Sequence, residues 1–164
     1  MACIVTTPAT ASRRSHATGF TLVELMVAVA VIAILSAVAL PAFTQMIADQ
    51  RTRSVAADLY VALARARSEA IKRDTDVVLT PASPGQWDQG WYIPNPGLAG
   101  AKLDSHIAVA KAQITGPDSV TYHPNGRLSG GASVSFDIAA TGTTSHRCVL
   151  VDLSGRPYQK ASGC

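Results

Sequence analysis

A single acidic residue, Glu24, lies at the start of a long apolar stretch of this 164-residue chain. Residues 25–48 include no charged side chain, and the stretch is long enough to cross a bilayer as a helix. A carboxylate is costly in hydrocarbon, so an ionisable residue in such a segment indicates a functional site. Two interpretations follow: Glu24 meets a partner charge, or it lies among the lipid headgroups and is solvated.

Other chemically active residues are sparse. His106, His123 and His146 fall in or beside predicted strands, and each is expected to be paired or at the surface. His146 and Cys148 together provide too few ligands for a zinc site. The sequence contains no nucleophile elbow, phosphate-binding loop or metal-ligand spacing. It therefore predicts no enzyme, no cofactor and no metal site.

The composition indicates a membrane anchor joined to a small folded module. Charged residues make up only 15% of the chain, and Arg13 and Arg14, just before the apolar stretch, account for two of the three net positive charges. The remainder does not indicate a general nucleic-acid-binding surface. Basic residues before an apolar segment keep that end in the cytoplasm. A secretory signal peptide has a shorter apolar core, so a retained anchor is the better interpretation.

Helical periodicity continues beyond the apolar stretch. Pro41 has no backbone N–H and its ring clashes with the preceding turn, which predicts a kink or local melting. After Pro41 an apolar face recurs at helical spacing while charged side chains occupy the other faces, and the helix is expected to end at Asp74 and Thr75. The predicted apolar face consists of Ile47, Val55, Leu59, Leu63 or Ala62, Ala66 and Ala70.

The second half of the chain is predicted to form strands, because short β-type runs alternate with clusters of Gly, Pro, Asn and Ser. Residues 81–86 and 125–126 are predicted turns, and 94–105 a longer loop. Trp87 and Trp91 have even spacing, which places both on one strand face and favours core packing. The predicted strands are 76–80, 87–93, 106–112, 119–123, 133–139, 147–153 and 158–160. These elements predict an α+β fold in which one long helix and an antiparallel sheet share a core, without an independent second domain.

The N-terminal residues resemble the class III signal of type IV pilins and pseudopilins. Basic residues precede Gly19, which is followed by Phe20-Thr21-Leu22-Val23-Glu24 and an apolar helix containing Pro41, all in the fixed register of that signal. The resemblance implies that a prepilin peptidase cleaves after Gly19 and methylates the new amino group of Phe20. It also implies that Glu24 pairs with the N-terminal amine of a neighbouring subunit, which removes much of the cost of two unpaired charges in a dry core.

The later part of the chain is similar to the GspH/FimT branch of minor pilins and pseudopilins. The similarity is carried by residues 63–73, 86–91, 126–130, 147–151 and 154–156. It implies a type IV pilin-like fold, with one long kinked helix packed on a C-terminal antiparallel module. The implied parts are a leader at 1–19, a membrane-spanning and filament-core helix half at 20–43, and a periplasmic domain at 44–164. Within that domain, residues 44–73 form the amphipathic helix half and 76–164 the β module.

The cysteines fit an exported domain. Cys3 leaves with the leader, and Cys148 and Cys164 remain as an even pair in an oxidising compartment. A bridge between them ties the C-terminal segment to the predicted strand 147–153 and contributes about 3 kcal/mol in the chain-entropy treatment. Two unpaired thiols are the alternative.

A basic segment near the C-terminus is a candidate ligand site. Some FimT-like minor pilins carry a Gly-Arg-x-Arg pattern in a C-terminal loop implicated in DNA binding for natural transformation. This chain matches the pattern at Gly155 and Arg156 but departs from it at Tyr158, where the second arginine would stand. An ordinary hairpin with a solvated arginine is the alternative. In the DNA hypothesis, phosphate contacts and base stacking come from Arg127, Arg147, Arg156, Lys160 and Tyr158.

Two functions follow from the resemblance. The first is structural: a minor subunit of a type IV pilus or a type II secretion pseudopilus. It is held in the bacterial inner membrane and assembled near the filament tip by an inner-membrane platform, together with other major or minor pilins or pseudopilins. The second is DNA uptake, in which the same anchor presents the C-terminal loop to DNA. The type IV pilus and the type II secretion system use the same N-terminal signal, so the sequence does not distinguish between these two machineries. A single-pass protein unrelated to filaments explains the apolar stretch but not the register of Gly19, Phe20, Glu24 and Pro41.

Overall fold

A long helix, α1, is the first element of the fold. The computed structural model describes residues 20–164, so Gly19 lies outside the described part, and α1 occupies Leu22–Arg73. Thr21 caps this helix, because its Oγ1 accepts the N–H of Glu24 at 3.2 Å. Glu24 is therefore the third helical residue, where the positive end of the helix dipole favours a carboxylate.

The chain divides into two compact units, and the described part of the first ends at Ala39. Its large apolar side chains are exposed, including Leu22 and Ile34. α1 contains an 18-residue window with a mean hydropathy of 2.7, none of which is buried, and is long and apolar enough to cross a membrane. An apolar surface of this extent indicates contact with lipid or with another protein.

Pro41 lies in the second unit, Leu40–Cys164, and α1 continues through it without interruption. The Thr44 hydroxyl donates a hydrogen bond to the Pro41 carbonyl at 2.8 Å. One proline removes one helical hydrogen bond, and intact turns on both sides support the backbone. The local melting expected at Pro41 is therefore wrong, while the kink stays a prediction.

The C-terminal end of α1 agrees with the sequence prediction. Asp74 adopts a left-handed conformation with φ 51°, and the Thr75 N–H donates to the Ala70 carbonyl at 3.4 Å. A left-handed residue just past a helix lets the following N–H groups satisfy its last carbonyls. The chain then turns directly into the first strand.

The described chain contains two four-stranded antiparallel sheets instead of one. The strands are β1 (Val77–Ser83), β2 (Gln86–Pro94), β3 (Lys102–His106), β4 (Ala112–Thr115), β5 (Val120–Tyr122), β6 (Val134–Ala140), β7 (His146–Val151) and β8 (Pro157–Lys160). The first sheet has the order β3-β2-β1-β5, and the second β4-β6-β7-β8. Six of the seven predicted strands correspond to observed strands with shifted ends, while the prediction at 106–112 does not.

The predicted strand 106–112 is wrong because the chain changes sheets there. His106 ends β3 opposite Trp91, and Ala112 begins β4 opposite Ala140. Between them Lys111 has φ 56°, and lysine gives no sequence signal for that conformation. The predicted loop 94–105 is also too long, since it contains most of β3.

The predicted turn at 81–86 is shorter in the structure. β1 continues to Ser83, and Pro81 lies opposite Trp91, with a register shift between Pro81 and Ser83. Proline is tolerated in a strand at such an irregularity because a regular ladder hydrogen bond is not required there. Only Pro84 and Gly85 separate the two strands.

α1 and both sheets share one hydrophobic core, as the sequence predicted. Leu59 and Leu63 are fully buried on the helix, and Trp87 and Trp91 are both buried from β2. The Trp87 ring meets Phe136 of the second sheet edge-on, with centroids 4.8 Å apart. The indole N–H of Trp87 donates to the Pro117 carbonyl at 2.7 Å, which satisfies its one polar group.

The buried face of α1 differs from the predicted face at its beginning. Ile47 is 56% exposed, and the neighbouring Ala48 is buried at 4% exposure. The core side of the helix therefore starts one residue later than predicted, and Ile47 belongs to the exposed apolar surface.

Leu59→Ala is expected to lower the free energy of unfolding of the detergent-solubilised chain by about 2–5 kcal/mol, because it leaves a cavity in the shared core. Val61→Ala is the matched control: Val61 lies two residues away on α1 but is 59% exposed. Its loss is expected to stay within about 0.5 kcal/mol. Chemical denaturation followed by tryptophan fluorescence measures both, and equal losses would contradict the position of the core.

Candidate functional site

The residues predicted for processing and assembly lie at the start of α1. Phe20 is 78% exposed, and Glu24 is exposed on the first turn. Sequence reasoning missed the cap that holds this turn, although Thr21-x-x-Glu24 before an apolar run is the spacing of a capping box. The cap fixes the backbone N–H of Glu24, four residues after Phe20, and the Glu24 side chain is exposed.

Two Gly-Arg turns lie against each other at one edge of the β module. We call them the paired turns: Gly126-Arg127, after β5, and Gly155-Arg156, between β7 and β8. Both glycines are buried and both arginines exposed. Gly155 has φ 77°, and a Cβ atom there would overlap the carbonyl oxygen of Gly126. Glycine is required at this position by conformation and by contact.

Arg67 of α1 holds the paired turns together. Its Nε donates to the Gly126 carbonyl at 2.9 Å, and one of its terminal nitrogens donates to the Ser154 carbonyl at 3.1 Å. The sequence analysis placed Arg67 only among the charged side chains on the faces of the helix away from its apolar stripe. No local signal identifies its role, because its two acceptors come from turns far along the chain.

The turn that carries Arg156 is organised by Asp152. Its carboxylate accepts the Ser154 hydroxyl at 2.6 Å and the Arg156 N–H at 3.0 Å. The Ser154 hydrogen bond, with that from the Arg156 backbone, lowers the pKa of Asp152 below its usual range. The carboxylate therefore remains ionised at neutral pH, and the Arg156 side chain is left exposed.

Tyr122 lies beneath the paired turns. It is fully buried, and its hydroxyl has no hydrogen-bond partner among the described residues. Burial raises the pKa of Tyr122 well above its ordinary value, while the nearby Arg67 opposes that change. The phenol therefore remains neutral, and the Tyr122 ring packs in the hydrophobic core.

A groove of about 570 Å³ separates α1 from the turn that carries Arg156. Its charged lining residues are all basic, and Tyr60 and Ile71 add partly exposed aromatic and apolar surface. A groove with this lining suits an extended anionic ligand that also offers flat or apolar groups. Its lining residues are Tyr60, Ala64, Arg67, Ser68, Ile71, Lys72, Arg156 and Pro157.

The structure brings together only some of the side chains predicted to contact DNA. Arg127 and Arg156 share the paired turns. Tyr158 and Lys160 alternate with Gln159 on β8, and the Gln159 amide donates to the Ala56 carbonyl on α1 at 3.2 Å. Neighbouring strand residues point to opposite faces, so Tyr158 and Lys160 face away from the helix.

Arg147 is separate from both groups. It lines a second cleft with Asp49 and Arg53 of α1. The five predicted side chains therefore occupy three different surfaces, and a single C-terminal loop does not collect them.

The structure contains a disulfide between Cys148 and Cys164, the pairing expected from the sequence. Cys148 is fully buried in β7, and the Cys164 N–H donates to the Asp137 carboxylate at 3.0 Å. The bridge therefore holds the C-terminal segment against the second sheet.

The described histidines are paired, as the sequence analysis expected, and each partner is an aspartate. No group of three metal-ligating side chains occurs among residues 20–164. The His106 ring also stacks on Trp91 with centroids 4.1 Å apart. The pairs are His106 with Asp58 at 3.4 Å, His123 with Asp76 at 2.8 Å and His146 with Asp137 at 3.1 Å.

Comparison with known protein families matches both parts of the chain. The profile of a family described as type II transport protein GspH matches residues 55–155, more than half of the chain. A second profile, described as the prokaryotic N-terminal methylation motif, matches residues 14–40. The first match includes Gly126, Arg127 and Gly155 of the paired turns and ends just before Arg156. The second covers Gly19, Phe20 and Glu24.

Individual relatives are more distant. The chain is 33% identical over 111 residues to the type IV major fimbrial protein FimA of Dichelobacter nodosus, and the match covers 63% of this chain and 66% of FimA, just under two thirds of that relative. The type IV minor pilin FimU of Pseudomonas aeruginosa has a TM-score of 0.61 at 23% identity, over 72% of this chain and 92% of FimU. The minor pseudopilin EpsH of the Vibrio cholerae type 2 secretion system has a TM-score of 0.54 at 12% identity, over 68% and 97%. At these identities, the FimU and EpsH structures establish that this chain shares their fold.

Gly155→Ala is expected to destabilise the protein more than Gly142→Ala. Both glycines have nearly the same positive φ, 77° and 78°, but a Cβ at Gly142 meets no atom within 4 Å. Left-handed backbone costs an L-residue about 1–2 kcal/mol at either site, and the overlap with Gly126 adds about 1–3 kcal/mol at Gly155 only. Chemical denaturation of both variants measures the difference. Equal losses would mean that the paired turns are not in contact.

Proposed function

The chain belongs to the GspH family of type II transport proteins, and on this basis we propose that it is a minor pilin or pseudopilin subunit of a type IV pilus or a type II secretion pseudopilus. Members of this family are structural subunits. The proposal rests mainly on Glu24. This residue lies in the first turn of an exposed apolar helix, which Thr21 caps, and within the N-terminal methylation motif.

The proposed maturation begins in the inner membrane. A prepilin peptidase cleaves after Gly19 and methylates the amino group of Phe20. This step gives the apolar helix a positive charge at its end, four residues before Glu24. Two such charges are costly in a dry environment, and pairing Glu24 with the amine of a neighbouring subunit reduces that cost for both chains.

The proposed topology has the N-terminus in the cytoplasm and the β module in the periplasm. Arg13 and Arg14 before the apolar stretch favour this orientation. The Cys148–Cys164 disulfide also fits an oxidising compartment. An inner-membrane assembly platform then moves the helix from lipid into the filament, near its tip, where other pilins or pseudopilins cover the same apolar surface.

Gly19→Ala is expected to block cleavage, because the peptidase no longer meets its recognition residue, and the precursor then keeps its full mass. Glu24→Ala is the matched control for processing: it should be cleaved normally but fail to enter filaments. Mass spectrometry of the membrane fraction and of sheared filaments separates the two effects. Normal processing of Gly19→Ala would refute the pilin assignment, and normal assembly of Glu24→Ala would refute the proposed charge pair.

The choice between pilus and secretion machinery has a genetic test. Deletion of the gene should abolish piliation if the subunit serves a pilus, and protein secretion if it serves a pseudopilus. Loss of transformation alone, with piliation and secretion intact, would favour the second candidate function.

That second candidate is DNA binding during uptake, and the paired turns favour it. They hold Arg127 and Arg156 exposed at one site, beside a groove whose charged lining is entirely basic. Phosphate contacts from several such side chains give sequence-independent, salt-dependent affinity. The match to the FimT-like pattern still departs at Tyr158, and Tyr158 and Lys160 lie on another face of the sheet. The site proposed for DNA is therefore the paired turns and the groove.

Arg127→Gln with Arg156→Gln is expected to weaken duplex DNA binding by the detergent-solubilised chain. The slope of log affinity against log salt concentration should become shallower by about 2, because about two phosphate contacts are lost. Arg65→Gln with Lys102→Gln is the control, since it removes the same charge beside β3, and neither residue is among the groove's lining residues. Tyr158→Ala with Lys160→Ala separately tests the face of β8 that points away from α1. Fluorescence anisotropy at several salt concentrations measures all three. Unchanged binding in the first variant would refute the DNA site.

A further inference from the structure

The groove between α1 and the turn that carries Arg156 has a floor made by one face of the helix. Its lining residues on α1 recur at spacings of three and four, which places them on one side of a helix. A helix rises 1.5 Å per residue, so Tyr60 lies about 10 Å before Arg67 and about 18 Å before Lys72 along the axis. Arg156 and Pro157 form the opposite wall, and the whole groove belongs to the second compact unit.

Positive charge gathers at one end of this groove. Arg67 donates to the carbonyls of Gly126 and Ser154, and neither acceptor cancels its charge. Ser154 is two residues before Arg156, so the contact brings the Arg67 guanidinium to the turn that carries Arg156. Lys72 is exposed five residues further along α1. Within residues 20–164, none of these three cations forms an ion pair with a carboxylate.

Two carboxylates lie near these cations, and both already accept hydrogen bonds. Glu69 is paired with Arg73 on α1. Asp152 accepts the Ser154 hydroxyl and the backbone N–H of Arg156. With Arg73 included, four cations stand against two carboxylates, so this end of the groove keeps a positive charge.

The other end of the groove is aromatic and apolar. Tyr60 is 37% exposed and lines the groove there. Ala64, one turn further along α1, has only a methyl group, which leaves space between the Tyr60 ring and Arg67. A flat group can therefore lie against Tyr60 while an anion joined to it reaches the cations.

We propose that this groove binds an unpaired strand of DNA, with a base against Tyr60 and phosphates at Arg67, Lys72 and Arg156. The proposal rests on the second candidate function and names the form of DNA that the groove receives. Alternating flat groups and anions are what a single strand offers. Base stacking on an aromatic side chain tolerates any sequence, because every base has a flat face.

Duplex DNA does not fill the same groove. Its bases stack on one another and present only their edges to the major and minor grooves. A base reaches Tyr60 only after it is unpaired and unstacked, which costs free energy. A duplex therefore contacts the exposed Arg127 and Arg156 through its phosphates and leaves the aromatic end of the groove empty. An acidic peptide meets the cations but supplies no regular series of flat groups.

The test measures binding of the detergent-solubilised full chain to labelled oligothymidine by fluorescence anisotropy. The matched ligand is an abasic strand of the same length, which has the same phosphates and no bases. Oligothymidine is expected to bind about tenfold more tightly than the abasic strand, the effect of one base stacked on Tyr60. The duplex of oligothymidine with oligodeoxyadenosine and a polyglutamate competitor complete the set.

Tyr60→Leu removes the flat ring and keeps apolar volume. It is expected to weaken oligothymidine binding about tenfold and to leave binding of the abasic strand and of the duplex unchanged. Tyr92→Leu is the matched control: Tyr92 also lies beside a cation, with Lys102 Nζ 4.4 Å from its ring centroid, but it is on β2 and outside the groove. Chemical denaturation followed by tryptophan fluorescence shows whether each variant is folded. The comparison of oligothymidine with the abasic strand uses the unaltered chain and needs neither variant.

Four results would each overturn the proposal: equal binding of oligothymidine and the abasic strand, equal effects of Tyr60→Leu and Tyr92→Leu, an equal loss of duplex binding in Tyr60→Leu, or competition by polyglutamate as effective as that by unlabelled oligothymidine. The last result would assign the groove to an acidic peptide. Duplex binding that depends on Arg127 and Arg156, without any effect of bases or of Tyr60, would refute this inference alone. Unchanged duplex binding in the Arg127→Gln, Arg156→Gln variant would instead refute the DNA site itself.

Discussion

Packing of two sheets on the small-residue face of α1 positions every other feature of the β module. Ala56, Ala66 and Ala70 are fully buried and allow both sheets to approach the helix, while Leu59 and Leu63 fill the space between them. Trp87 and Phe136 then join the two sheets across the core. Because one continuous helix carries this face, loops from distant parts of the chain are brought to its two flanks.

The paired turns and the second cleft, which Arg147 lines, both lie at the borders of that packing. In each, polar side chains of α1 reach past the apolar face and contact turns of the β module. Arg67 donates hydrogen bonds to carbonyls of the paired turns. Thr52, fifteen residues earlier on α1, forms a hydrogen bond with Ser145. These contacts shape two polar surfaces on a scaffold whose interior is almost entirely apolar. The turns that form these surfaces are held in place by the shared core and by their hydrogen bonds to α1.

Most of the architecture was predictable from local patterns. The register of Gly19, Glu24 and Pro41, the helical stripe after it, and most strands carry signals within a few residues. The errors occurred where local signals mislead. Residues 107–110 form an apolar run, but the chain leaves one sheet and enters the other there, with left-handed Lys111 just before β4. The division into two sheets has no local signature either, since pairing partners lie far apart in sequence.

The sequence by itself determined the membrane-compatible helix, its N-terminal motif and the pair of cysteines available for a bridge, because each depends on residue types at short, fixed spacings. Only the tertiary structure decided which side chains share a surface. Arg127 and Arg156 lie on neighbouring turns because Gly155 packs on Gly126, whose carbonyl Arg67 binds. Strand alternation directs Lys160 to another face, and Arg147 lines a separate cleft beside Ser145. The physical reason is that burial of the core fixes the register of the strands, and the register fixes the direction of each side chain.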